Sequence, residues 1–365
     1  MKQLTVCISP LDWGLGHATR CIPIINAFLS LGHKVYIAAE GHHAVILKEA
    51  FPAVEILPLR GYRVHYSKNK ALFFSHIFLQ GPKILWSAIC EYYWLKKKQK
   101  EYHFDLTISD NRVGFFHKQV PSVFITHQLH LIMPFRFVTR LFQQMQYCWL
   151  KNFSACWVPD MEGNNNLSGV LANPKNKPKT PIFYLGFLSR LFPSNFKKNE
   201  TVAIEPIHFL GIISGPEPQR SLLEEILWNE GNELQKKFAL VAGLPMNKGY
   251  KRLSTNGLLW NHLSGSTLAS QIMEAEYIIC RGGYTSLMEL IPFRKKLILI
   301  PTPGQTEQEY LGAYWQEKKW ALCYEQANFN LAFALDAASK LHYEQPPFVP
   351  FTSDTLKAAL KELPL

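Results

Sequence analysis

Ser9-Pro10-Leu11-Asp12-Trp13-Gly14-Leu15-Gly16-His17-Ala18-Thr19-Arg20 sets a histidine directly after a Gly-x-Gly turn, with an arginine three residues on. Glycines there bring backbone close to a ligand, and a histidine beside the positive end of a helix is biased toward its neutral, basic form. His17 is therefore a candidate general base, Gly14 and Gly16 candidates for ligand contact, and Arg20 a candidate on the acceptor side; a histidine buried for packing is the alternative. Asp110 ends the run Ile108-Ser109-Asp110 and is followed by Asn111 and Arg112, which join Arg20 as candidates on the acceptor side. A carboxylate at a strand end could orient the imidazole and stabilise its protonated form. An Asx turn or helix cap is the other reading of Asp110. Thr126-His127-Gln128 ends another apolar run and offers His127 and Gln128 for substrate contact, or else forms a capped turn. His127 and His130 have a spacing compatible with metal ligation, but no acidic or sulfur ligand lies near them in sequence, so no metal site is expected.

The second half carries a different chemistry. Cys280-Arg281-Gly282-Gly283-Tyr284-Thr285-Ser286-Leu287-Met288-Glu289 runs from an apolar strand through two glycines into a helix. A glycine turn feeding a helix N-terminus suits a phosphate, and Glu289, nearly two turns on, suits a ribose diol. An ordinary strand-to-helix turn gives the same pattern. Ser214-Gly215-Pro216-Glu217-Pro218 is a second such start, and with Arg281 through Thr285 it predicts two helix N-termini at one diphosphate. Thr302 to Tyr310 is polar, and its Gln305, Gln308 and Glu309 are long donors and acceptors of the kind that bind sugar hydroxyls; a solvated helix start competes with that reading.

The elements that must hold these residues alternate. Leu4 to Ser9, Val35 to Ala39, Val54 to Leu57, Leu106 to Ser109, Ser122 to Thr126 and Ala155 to Val158 read as buried strands, with helical spacing between the first of them. Strand and helix in alternation mean a parallel sheet. Between Leu171 and Lys198, prolines, lysines and asparagines surround Ile182 to Leu185, which marks an interdomain connection. The alternation restarts with Ile207 to Ile213, Phe238 to Ala242, Tyr277 to Cys280, Leu297 to Ile300 and Ala321 to Tyr324. The expected division is 1–185, 200–345, and a helix at 346–365 that returns to the first domain. Open sheets bind at the carboxyl ends of their strands, so a cleft between the two is where a reaction is expected.

Composition narrows the class. The 365 residues are 47% hydrophobic and 18% charged, enough for two cores and against disorder. A net charge of +11 and pI near 9.2 call for an anionic partner. No zinc-finger spacing, RNA-recognition signature or long basic tail occurs, which sets nucleic acid aside. Seven cysteines without a C-x-x-C pair fit a reducing cytoplasm rather than a disulfide framework. The stretch from Ala71 to Leu95 is apolar and aromatic but broken by Gly81-Pro82, Lys83 and Glu91, which argues against a membrane span. Followed by Lys96, Lys97, Lys98 and Lys100, it fits contact with an anionic membrane surface, or else a buried helix with a solvated end. The first loop is similar to a dinucleotide fingerprint, yet Thr19 stands at the third glycine and only Glu40 lies near the position of the ribose acid, which argues against nicotinamide.

Taken together, these segments resemble the GT-B glycosyltransferases, two Rossmann-like α/β domains facing a cleft, and family 28 in particular. The likeness is most specific from Ser264 to Tyr324. It implies that Gly283 lies at the diphosphate of a UDP-sugar, that Glu289 binds the ribose, and that Gln308 contacts the donor sugar, with Glu309 replacing a second glutamine. Gly16-His17 corresponds to the family's G-G-H turn with Leu15 in place of a glycine, and Gln128 is what remains of an H-E-Q segment. Gly14-x-Gly16-His17-x-x-Arg20 also resembles a nucleotide-sugar hydrolase of the same fold, and His17 with Asp110 is similar to the His/Asp pair of some UDP-glycosyltransferases. The implied activity is metal-independent, inverting sugar transfer with no cofactor beyond the nucleotide-diphosphate sugar, to a lipid-linked or glycan acceptor, by a cytoplasmic protein peripheral to the membrane. A nucleotide-sugar hydrolase and a non-catalytic UDP-binding or membrane-scaffold protein are the rival readings; the absence of any Asp-x-Asp sequence supports charge stabilisation by the protein itself.

Overall fold

The computed structural model describes residues 2–64, 79–133, 135–193, 206–246 and 249–365. Its described residues form two compact units, one running up to Ser189 and including Val349–Leu365, the other spanning Arg190–Phe348. The α/β reading holds in both: each unit is built on a seven-stranded, predominantly parallel sheet.

In the first unit, β1 (Thr5–Pro10), β2 (Lys34–Ala39), β3 (Glu55–Pro58), β4 (Leu106–Asp110), β5 (Ser122–Ile125), β6 (Ala155–Val158) and β7 (Ile182–Tyr184) lie in the order β3-β2-β1-β4-β5-β6-β7. Val6, Cys7, Ile8, Leu106 and Ile108 are almost fully buried, as expected for strands covered on both faces. The chain first steps outward from β1 to β3 and then returns to β4 on the other side of β1. Connections from β1 and β4 therefore diverge, and a crevice opens at their carboxyl ends. That end carries His17 and Asp110.

Register shows which face the remaining helices cover. Cys7 pairs with Thr107, and Ser109 with Phe124, so Cys7, Ser109 and Phe124 point to one face. On that face Leu95 of the helix Gly81–Tyr102 packs over Cys7, Tyr36 and Leu57, while Leu150 of the helix Arg136–Leu150 packs over Phe124 and Cys156. Tyr92, Phe116 and Phe153 join the two groups through rings 5.2 and 5.6 Å apart. The helix Gly81–Tyr102 turns Ala88, Glu91 and Leu95 inward. Gly114 lets it come close, since a Cβ there would lie 2.0 Å from the carbonyl of Ala88.

Glu91, which in the sequence only interrupts an apolar run, is thus a core residue. It accepts from Arg112 Nε at 2.6 Å and from the Tyr62 hydroxyl at 2.9 Å. Burial pushes its carboxyl up, and the Arg112 charge pulls in the opposite direction. Residues 71–78 of the aromatic stretch lie outside the described residues.

The second unit orders its strands β10-β11-β9-β8-β12-β13-β14, namely β8 (Ile207–Ile212), β9 (Phe238–Val241), β10 (Tyr250–Leu253), β11 (Gly257–Trp260), β12 (Ala275–Cys280), β13 (Lys296–Leu299) and β14 (Ala321–Cys323). The reversal falls between β8 and β12, so the loops after Ile212 and Cys280 flank its crevice. Phe209, Leu240, Ile279 and Ile298 form the core beneath.

Two local expectations change. The run at Ile182, read as part of a connection, is the edge strand β7, paired with β6 from Cys156↔Ile182 to Val158↔Tyr184. Three apolar residues among prolines carry too short a pattern to separate an edge strand from a linker. The pair β10–β11 is an antiparallel hairpin at the other sheet's edge that alternation did not show, because Tyr250-Lys251-Arg252-Leu253 is half charged and exposed.

Candidate functional site

Parallel pairing sets Pro10 beside Asp110, and the Leu11 amide donates to the Asp110 carbonyl at 3.0 Å. The loop that follows β1 therefore leaves next to the Asp110 side chain. It turns at Gly14, whose φ of +109° is open to glycine and strained for other residues, and whose carbonyl is held by His43 Nε2 at 2.9 Å. The helix Leu15–Ser30 starts there, which puts His17 in its first turn and Arg20 one turn on, on the same side. Asn111, just past the end of β4, has φ +58°, a left-handed conformation that asparagine tolerates better than most residues.

Four of the predicted residues meet around one carboxylate. His17 Nδ1 is 3.2 Å from Asp110 Oδ2, Arg20 Nε donates to the same oxygen at 2.8 Å, and Arg20 Nη2 donates to Oδ1. Arg20 also reaches His17 Nδ1 at 2.9 Å and His127 Nδ1 at 3.2 Å. Asp110 and Arg20 are buried, whereas the His17 side chain keeps 17% of its surface exposed. Burial works against the Asp110 charge, but Arg20, then His17 and the hydrogen bonds to both, outweigh it and hold the carboxyl at about 2. His17 is pushed below its ordinary value by burial first and by Arg20 second, with Asp110 pulling it back up. The result is a neutral, partly exposed imidazole beside a permanent carboxylate, which is what a base needs.

Arg20, placed by sequence on the acceptor side, is an internal partner of Asp110. Arg112 goes further from that expectation: it is buried, bound to Glu91, and donates to the carbonyls of Pro10 at 3.1 Å and Arg60 at 2.8 Å. Gln128 is half-buried, and its carbonyl accepts from Gln146 at 2.7 Å. His130 lies apart from this cluster, its amide on the Leu171 carbonyl at 2.8 Å.

In the second unit the three loops after β8, β12 and β13 converge. A Cβ on Gly215 would lie 3.3 Å from Thr302 Oγ1, and one on Gly282 would lie 3.0 Å from the Gln308 carbonyl. Gly215 has φ +102°, whereas Gly283, which caps the helix Tyr284–Leu290, has φ −74°. The sequence suggested that the glycines after β12 turn the chain sharply and bring it close to a ligand; what Gly282 supplies is room for the first turn of the helix Thr306–Glu317. Ser214 and Thr285 are half-buried and Tyr284 is buried.

Arg281 is fully buried, and its guanidinium donates to the carbonyls of Ile300, Pro301 and Gln219. Burial without a carboxylate partner lowers its pKa to about 10. It braces the loops and carries positive charge beneath them. Gln308 Oε1 accepts from the Thr302 amide at 2.9 Å, its amide donates to Gln305, and Glu309 accepts from the Gly304 amide at 3.0 Å. Their side chains thus shape the loop itself. Glu289 is held by Arg190, Nε to Oε1 2.7 Å, a partner ninety-nine residues away that no sequence signal marked.

Among the described residues no group of three or more His, Cys, Asp or Glu side chains could hold a metal ion. None of their helices is long and apolar enough to cross a membrane.

Comparison with known proteins agrees with this architecture. Residues 265–346, which contain the loops after β12 and β13, match the glycosyltransferase family 28 C-terminal domain. A Methanosarcina acetivorans protein described as an uncharacterized glycosyltransferase is 19% identical over 324 residues, covering 84% of this chain and 81% of its own. Among solved structures, the glycotransferase of kitacinnamycin aligns with a TM-score of 0.63 at 14% identity, over 99% of this chain and 94% of that one. The glycosyltransferase VinC, solved in complex with DTDP, aligns with a TM-score of 0.56 at 12% identity, over 98% and 95%. With that match, these relatives and this fold, the chain is a glycosyltransferase of the GT-B fold.

Proposed function

We propose that this protein transfers a sugar from a nucleoside-diphosphate donor, UDP-linked by preference, to a hydroxyl acceptor with inversion and without a metal. The observation that carries the reading is the His17 Nδ1 to Asp110 Oδ2 approach of 3.2 Å at the topological switch of the first sheet. With Nδ1–H donated to the Asp110 carboxylate, Nε2 takes the proton of the acceptor hydroxyl as that oxygen bonds to the anomeric carbon. The bond from the anomeric carbon to the diphosphate oxygen breaks, and the nucleoside diphosphate leaves with the electron pair. Asp110 stabilises the imidazolium that results. In the second unit, the loops at Ser214–Gly215 and Gly282–Thr285, over the buried Arg281, meet the charge that grows on the leaving diphosphate. Glu289 binds the ribose, with Arg190 holding one of its oxygens.

A thermal-shift screen across nucleotide sugars tests this directly, since a ligand at 100 times its Kd stabilises by about 2.7 kcal/mol. UDP-sugars should raise the melting temperature, and Glu289→Ala should weaken UDP binding measured by calorimetry. Unchanged UDP affinity in that variant would remove Glu289 from the ribose; no shift with any nucleotide sugar would remove the donor reading.

A membrane-facing acceptor fits the outer surface of the first unit. The helix Gly81–Tyr102 exposes Leu85, Trp86, Ile89 and Tyr93, and the helix Arg136–Leu150 exposes Phe137, Leu141 and Met145. Both lie over the same face of the sheet. Tyr102 precedes β4 and Leu150 precedes β6, so the first turns of each helix lie toward the carboxyl ends of the strands, the end that bears His17. Lys83, Lys96, Lys97, Lys100, Arg136, Arg140 and Lys151 are exposed around these residues, against the exposed acids Glu101, which pairs with Lys98, and Glu55, which accepts from the Tyr102 hydroxyl. Apolar stripes ringed by cations suit the surface of an anionic bilayer. The protein should float with vesicles containing anionic lipid and not with neutral ones, and Trp86→Glu with Phe137→Glu should abolish flotation. Equal flotation of that variant would exclude this face.

A further inference from the structure

We infer that Asn111, acting with Arg20, fixes the tautomer of His17 and so decides which ring nitrogen can act as the base. The inference rests on the base reading of His17 and adds a positioning residue to it. Arg20 Nη2 has two hydrogens. One is donated to Asp110 Oδ1. Two acceptors lie within reach of the other, His17 Nδ1 at 2.9 Å and the Asn111 side-chain oxygen at 3.0 Å. The Ile125 carbonyl can only accept and Arg20 can only donate, so hydrogen bonding orients the Asn111 amide with its nitrogen toward the Ile125 carbonyl at 3.3 Å and Thr126 Oγ1 at 3.0 Å and its oxygen toward Arg20.

When Asn111 takes that hydrogen, an unprotonated Nδ1 on His17 would face Asp110 Oδ2 at 3.2 Å, acceptor against acceptor. The tautomer with its proton on Nδ1 satisfies both groups: Nδ1 donates to Asp110 and Nε2 keeps its lone pair. Without the amide, the Arg20 hydrogen is left for Nδ1, and the ring proton moves to Nε2. The imidazole then presents a donor where the reaction needs an acceptor. His127 illustrates that outcome within the same cluster, because its Nδ1 faces Arg20 Nη1, which can only donate.

The backbone makes a clean variant available. Asn111 sits at φ +58°, which glycine adopts freely, and its own amide donates to Ile125 at 3.2 Å in either case. Asn111→Gly therefore removes the side-chain oxygen and keeps the turn after Asp110.

The test is nitrogen-15 NMR of the full chain labelled at histidine, with the His17 signals identified by their loss in His17→Gln. In the unsubstituted protein at neutral pH, His17 should show a protonated Nδ1 and an unprotonated Nε2, and Asn111→Gly should reverse the pattern. Its kcat for sugar transfer should fall at least tenfold with the donor KM unchanged. An Nε2-protonated His17 in the unsubstituted protein, or an unchanged tautomer in Asn111→Gly, would overturn the inference. The first of these needs no variant to fold. A reversed tautomer with undiminished kcat would leave the tautomer assignment standing and remove His17 as the base, whereas loss of activity in His17→Ala with no tautomer change in Asn111→Gly would do the opposite.

Discussion

His17→Ala should lower kcat for sugar transfer by about 10²–10⁴-fold, the usual contribution of a positioned general base, while leaving nucleotide affinity unchanged. The side chain is partly exposed and its one carboxylate partner stays bonded to Arg20 when the imidazole is removed, so the fold has little to lose. Initial-rate measurements beside calorimetry with UDP separate the two effects. Near-normal turnover in the variant would end the base assignment. The pH profile gives a second check. The base works deprotonated, and His17 is held below the ordinary imidazole value of 6.5, first by burial and then by Arg20. Activity should therefore be flat through neutrality and fall only as the pH drops through a value under 6.5. A limb that instead declined between pH 7 and 8 on acidification would show an imidazole raised by Asp110, and would contradict the balance of charges described here.

The largest loss of stability is expected from Arg112→Ala. Glu91 and Arg112 are each about 1% exposed and have no water to fall back on. Removing the cation leaves a carboxylate buried with a tyrosine hydroxyl and no charge partner, which costs about 3–5 kcal/mol. For a unit of this size that lowers the melting temperature by on the order of 10 °C. Replacing both residues together, as Glu91→Met with Arg112→Met, should recover most of that loss, since an apolar pair of similar volume avoids the buried charge. Calorimetric melting of the three proteins decides the matter. If Arg112→Ala melts with the unsubstituted protein but loses acceptor turnover, Arg112 belongs to the site and the structural role assigned to it fails.

These two arginines show what a sequence can and cannot reveal about such a protein. Most strands are short apolar runs between turn residues, so the central parallel strands and their carboxyl-end loops are visible from composition and spacing, while the edge strand β7 and the hairpin β10–β11 are not. His17, Asp110, Gly215 and the turn at Arg281 are visible for the same reason: they follow strands. The fate of a long cation is different, because its charge ends many bonds from the backbone and its partner is chosen by tertiary packing. Arg20 and Arg112 lie close to candidate catalytic residues, yet one closes on Asp110 and the other on Glu91, ninety and twenty-one residues away. Arg190 reaching Glu289 belongs with them. Gly282 was legible as a glycine with a purpose, but what it had to leave room for depended on Gln308, in a helix that arrives twenty-six residues later.

Residues 349–365 give the first unit an unusual order of manufacture. The amides of Phe187 and Phe351 bond to the carbonyls of Val349 and Phe187, and the helix Ser353–Lys361 packs against Leu15–Ser30, the helix whose first turn carries His17. A ribosome delivers everything from Arg190 to Phe348 before it supplies this cover. During synthesis the second unit can therefore close while the unit bearing His17 is still missing a wall. Any nascent chain released early would hold a finished second unit, with the loops around Arg281 in place, and an unfinished first one.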